Sequence, residues 1–269
     1  MRQLFDRPDA EVDLTRAALT LARIRYPDLQ DEPTLAWLDR RAEEVQAALE
    51  HGDEPDEVVS AISRVLFEQW GFEGNRSDYY DPRNSFLNDV IERRTGIPIA
   101  LSVVYMEIGK RIQAPIYGVG LPGHFLVKYH DARRRIYVDP FHEGRVLNRQ
   151  GCRNLVKRLS GRPVELTDLH FAAMDNRSII LRMCNNLRDI FLSSRQLSSG
   201  LEVIRTVLAL APDSAEEIKQ TAWLYHELGQ RGKALAAIEH YNELHPEPEE
   251  GEDLEAWSEN IRRAQAQLN

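Results

Sequence analysis

The sequence predicts a helix-rich α+β protein: N-terminal helices packed on an α+β core with a short antiparallel sheet, followed by an all-α array of helical hairpins. Three observations predict it. Apolar residues recur at helical spacing through the first 70 residues and again beyond residue 150. Between these stretches, residues 116–139 switch to short β-rich runs. Towards the end of the chain, Pro212 and Pro246 stand 34 residues apart in segments of similar pattern.

The elements follow in order. Residues 10–26 place Val12, Leu14, Ala17, Leu19, Leu21, Ala22 and Ile24 on a helix that Pro27 breaks. Residues 31–49 open with Asp31 and Pro33, a helix start, and carry Leu35, Leu38, Ala42, Val45 and Leu49. Residues 55–70 repeat the pattern through Val58, Val59, Ile62, Val65, Leu66 and Trp70, with Gly71 as the stop. Residues 71–83 are rich in Gly, Asn, Ser, Asp and Pro and read as an ordered loop. A short helix over 85–94 ends at Thr95-Gly96, where Asn84 reads as a cap, and Pro98 suits the first position of the next helix, 99–112. Runs at 116–120, 124–129 and 135–139 then read as strands of a small meander.

Beyond residue 150 the chain returns to helix and repeats itself. At an offset of 34, Leu187 aligns with Thr221, Phe191 with Tyr225, Gly200 with Ala234, Ile204 with Ile238 and Leu210 with Leu244. The pattern resembles the tetratricopeptide repeat: a large residue on the first helix, a small one where helices touch, Pro after the second. Phe191, Gly200, Tyr225 and Ala234 are its framework, and the resemblance implies a groove that takes a protein or peptide partner. Residues 252–268 read as a capping helix with Trp257 and Ile261 inward and Arg262 and Arg263 outward. The change of texture sets a boundary near residue 165, with the helical layer and α+β core at 1–165 and the repeat module at 166–269.

Composition narrows the function. The net charge of −9 and 29% charged residues argue for a globular chain without a general affinity for nucleic acid or anionic membranes. The charge is uneven. Residues 145–162 hold Arg145, Arg149, Arg153, Lys157, Arg158 and Arg162 with no acid, whereas residues 247–255 hold six acids with no base. Arg149, Arg153 and Lys157 share one helical face, read as solvated or as contacts to an acidic partner. The two cysteines, Cys152 and Cys184, form neither a disulfide framework nor a zinc spacing. No stretch is long enough to span a membrane, and the first residues lack a signal-peptide pattern, so the cytoplasm is the expected location.

The chemistry-bearing segment contains GIPIALS (96–102), LPGHF (121–125) and YVDPF (137–141). His124 opens one strand and Asp139 closes the next, so the two ends should lie side by side. The carboxylate can then fix the imidazole tautomer and raise its basicity. The segment resembles the core of the transglutaminase-like superfamily, ordered helix-borne Cys, strand His, strand Asp. Nearly the whole chain resembles a bacterial family that joins a divergent core of this kind to tetratricopeptide repeats, often labelled regulators of sirC expression. His124 and Asp139 correspond to that His and Asp. The cysteine position falls near Pro98–Ile99, where no nucleophile stands. Ser102, one turn further, would serve only if it faced His124. The resemblance therefore implies a catalytically impaired protein that binds partners through its repeats, or alternatively an amide-bond enzyme of transglutaminase or cysteine-peptidase type using His124 and Asp139. No cofactor and no metal are expected. His142, three residues after Asp139, could complete a His/Asp/His set with His124, but the spacing signals it weakly.

Overall fold

The computed structural model describes residues 12–49, 54–245, 257–259 and 261–263. The chain divides into two compact units after Met183.

In the first unit, helices α1 (Leu14–Ala22), α2 (Glu32–Ala47), α3 (Pro55–Ser63), α4 (Leu87–Arg93) and α5 (Pro98–Arg111) form the helical layer. Asp13 caps α1 by accepting from the Arg16 N–H at 3.0 Å, and α2, α3 and α5 each carry Pro in the first turn. The end of α3 widens into a π-helical turn, Arg64–Gln69, closed by the Trp70 N–H on the Val65 carbonyl. Helix α5 is the centre of the unit. It is buried continuously from Pro98 to Gly109 and packs against α1, α2, α3, α4 and the sheet. A helix apolar on all sides belongs inside. Its one buried acid, Glu107, is matched by the Thr15 hydroxyl at 2.7 Å and Arg111 at 2.8 Å.

The strands β3 (Ile116–Leu121), β4 (His124–His130), β5 (Arg135–Asp139) and β6 (Arg145–Leu147) form an antiparallel meander in sequence order. The loop expected over 71–83 carries an additional element: β1 (Glu73–Gly74) pairs in parallel with β2 (Thr95–Gly96). Gly74 is required there, because a Cβ would stand 2.5 Å from Phe141. Asn84 does not cap a helix. Its buried amide donates to the Asp78 carbonyl at 2.6 Å and accepts from Asn75 at 3.1 Å, organising that loop from within.

One face of the meander presents Val119, Leu121, Leu126 and Tyr137, covered by Cys152, Leu155 and Val156 of α6 (Arg149–Ser160) and by Leu166 and Phe171. Residues 166–183 pack with this unit, so the compact units divide after Met183 rather than near residue 165. The Lys128 ammonium donates to the Phe171 carbonyl at 2.7 Å, and the Met174 N–H to the Gly118 carbonyl at 3.0 Å. These bonds tie the segment to the sheet.

The division falls within α7 (Asn176–Ser193). The second unit continues with α8 (Leu197–Leu210), α9 (Ala215–Glu227) and α10 (Arg231–Leu244), each packed on the next. Two apolar clusters hold it. Leu201, Ile204 and Leu224 form one; Ala222, Ala234, Ile238 and Ile261 form the other. Tyr225 packs against both. Trp257 and Ile261 turn inward and Arg262 and Arg263 outward, as a capping helix requires. Pro246 and residues 247–255 lie outside the described residues.

Candidate functional site

Pro122-Gly123 makes the two-residue turn between β3 and β4, with Gly123 at φ +70°, and the register places Leu121 opposite His124. Arg182 pins this hairpin: one guanidinium nitrogen donates to the carbonyls of Leu121 and His124, both at 2.7 Å. β4 pairs with β5 from Val127 opposite Val138, which brings the start of one strand beside the end of the other. The expected contact forms. His124 Nε2 lies 3.0 Å from Asp139 Oδ1, with both residues buried.

The second carboxylate oxygen has its own partner. Asp139 caps the 3-10 turn Pro140–His142, and His142 Nδ1 lies 2.7 Å from Oδ2. The Phe141 N–H adds a third bond, to Oδ1 at 3.2 Å. Burial pushes the Asp139 pKa up, but the hydrogen bond and charge of His124, with those of His142, outweigh it and leave the carboxyl below its usual range. The Phe141 ring stands edge-on to both imidazoles, at 6.0 Å and 5.3 Å between centroids, and Tyr79 packs against Phe141 at 6.2 Å. The result is one carboxylate bridging two imidazoles in an aromatic frame.

The other predicted residues divide. Ser102 lies on α5, fully buried, and its hydroxyl has no hydrogen-bond partner among the described residues; it is not engaged by His124. The N-terminus of α5 carries Pro98 and Ile99, both buried and neither nucleophilic. Cys152 sits in the core under the sheet, where burial and then the Asp139 charge push its thiol to about 11. Cys184 is buried in the second unit, and burial and then Glu217 push it to about 12. Among the described residues, neither sulfur hydrogen-bonds to His124. Arg149 pairs with Asp168 at 2.6 Å and covers Phe171, while Arg153 and Lys157 are exposed on α6. Phe191, Gly200 and Ala234 are buried in helix packing, and Tyr225 is half-buried with its hydroxyl accepting from Arg205 at 2.8 Å.

The sequence leaves two contributors unmarked, Arg182 and Tyr79, and signals a third, His142, only weakly. Arg182, which anchors the His124 hairpin, carries no local signal because its partners are backbone carbonyls 58 and 61 residues away. His142 stands three residues after Asp139, an i, i+3 spacing common without meaning, and the fold places its Nδ1 2.7 Å from the carboxylate. Tyr79 carries no signal of its own in the loop at 71–83; only the fold puts it against Phe141.

The transglutaminase-like superfamily model matches residues 32–185, and the tetratricopeptide repeat model matches residues 187–266. A UPF0162 protein of Xylella fastidiosa strain Temecula1 is 32% identical over 243 residues, covering 88% of this chain and 86% of that protein. A UPF0162 protein of Vibrio cholerae is 28% identical over 247 residues, covering 91% of each. F-box only protein 21 of Homo sapiens is 30% identical over 186 residues, which are 64% of this chain and 28% of that protein.

Proposed function

Because this chain belongs to the transglutaminase-like superfamily, and within it to the UPF0162 family, we propose that it is a partner-binding protein whose core works without the family's nucleophile. Its repeats take up a protein or peptide, and its role is regulatory, in the cytoplasm, without contact to nucleic acid. One observation carries the reading. Where a cysteine would gain from the N-terminus of α5, the chain has Pro98 and Ile99, while both cysteines are buried and hold their protons at neutral pH. The repeat unit supplies the alternative work, since stacked helical hairpins of this class generally mediate protein–protein contact.

The second reading, an amide-bond enzyme, is favoured by the 3.0 Å bond between His124 and Asp139. It requires a nucleophile within reach of the imidazole, and Asp139 itself opposes a thiolate at Cys152.

Capture of partners from a host extract separates the two. We expect the His124→Ala variant to retain the wild-type set of partners. Charge reversal of the exposed cations beside Tyr225, Arg205→Glu with Lys233→Glu, should remove it while helicity is kept. Capture lost on His124→Ala and kept on the double reversal would contradict the proposal.

A further inference from the structure

We infer that His124, Asp139 and His142 form a binding site for a divalent transition-metal ion of the zinc class. This goes beyond the repeat-based reading, and either can fail without the other. The ligating atoms of the three residues all lie within 4.8 Å of one another. Each imidazole places a nitrogen beside a different oxygen of the same carboxylate, at 3.0 and 2.7 Å, so the three ligating groups stand together. Two imidazoles and a carboxylate select zinc, cobalt or nickel over magnesium or calcium, which prefer all-oxygen shells. Three protein ligands also leave a fourth position open.

The surroundings suit a metal centre. Asp139 and His124 are fixed, with Asp139 1% and His124 4% exposed, and a backbone N–H from Phe141 orients the carboxylate from behind. His142 ends a locked turn: the Gly144 N–H closes on the Asp139 carbonyl at 3.0 Å, and Gly144 sits at φ +74° where a Cβ would meet Ser63 at 2.6 Å. The His142 side chain is 29% exposed, so it stands at the rim and leaves a path from solvent. Binding requires each imidazole to offer its inner nitrogen, Nε2 of His124 and Nδ1 of His142, as a lone pair to the ion, with any ring proton on the outer nitrogen.

The test is titration of the full chain, stripped with chelator, with Co2+ and then Zn2+. We expect one Co2+ per chain with the intense visible absorption of a tetrahedral site, displaced by Zn2+, and a Zn2+-dependent rise in melting temperature. His142→Ala, at the rim, should weaken Co2+ binding about tenfold or more and abolish the Zn2+-dependent rise over its own metal-free melting temperature. His130→Ala, an exposed histidine elsewhere, should change nothing. The absence of stoichiometric Co2+ binding by the wild-type chain would overturn the inference. So would binding that His142→Ala and Asp139→Asn leave intact, since the ion would then sit on other residues.

Discussion

Asp89 shows how a single group sets a pH response. Burial raises its pKa; the hydrogen bond from Tyr26, at 2.9 and 3.1 Å to the two oxygens, and the Arg93 charge only partly offset that. The folded state therefore binds the Asp89 proton more tightly than the unfolded state. By linkage, stability falls as pH rises from the ordinary carboxylate range through the raised folded value, and the cost is fully present at neutral pH. Asp89→Asn keeps an acceptor for Tyr26 and removes the charge. Its melting temperature should exceed wild type at pH 7, with the difference vanishing on acidification to about pH 3.5, below the ordinary Asp pKa. The reverse ordering at pH 7 would mean the charge contributes favourably. At the same scale, His124 and Asp139 were legible because β4 and β5, joined by the short turn at 131–134, pair antiparallel and must bring the start of one beside the end of the other. Arg182 was not, because a guanidinium bonded to carbonyls leaves no spacing pattern.

Among elements, close approach decides more than propensity. Gly118 lies on β3 where a Cβ would stand 2.8 Å from the Phe125 ring and 3.1 Å from Ile179. Gly118→Ala should therefore cost about 1–3 kcal/mol by overpacking, read as a lower denaturant midpoint at unchanged slope. Tyr105 on α5 donates to the Val59 carbonyl at 3.0 Å in a dry interior. Tyr105→Phe should cost about 1 kcal/mol, and no change would mean that carbonyl finds another donor. In the repeats, Tyr225 joins both apolar clusters, so Tyr225→Ala should destabilise by about 2 kcal/mol and uncouple α8 from α10. Hydrogen exchange would register the change in those helices first. Helices α2, α3, α5, α9 and α10 were legible from periodicity and Pro or Gly punctuation. The pairing of β1 with β2 was not, since two residues carry no period and Gly74 signals only that something approaches.

Across the whole molecule, the chain joins a core that has kept a His–Asp pair to a repeat module. The domain order was readable from the 34-residue offset; the boundary was not. Residues 166–183 look helical and polar, yet Lys128, Gly118 and the β3–β4 turn hold them to the sheet through backbone groups that no sequence pattern records. The thiols express the functional claim most sharply. A group with a pKa near 11 is ionised in roughly one molecule in a thousand at pH 8. A nucleophile activated by His124 would be ionised far more often. The direct measurement is the rate of adduct formation with a small electrophile, iodoacetamide, on the native chain at pH 8, followed by intact mass. The account predicts no adduct until the chain is unfolded, when both Cys152 and Cys184 react, and no difference between wild type and His124→Ala. Rapid formation of a single adduct on native Cys152, lost in His124→Ala, would contradict it and make the core an enzyme.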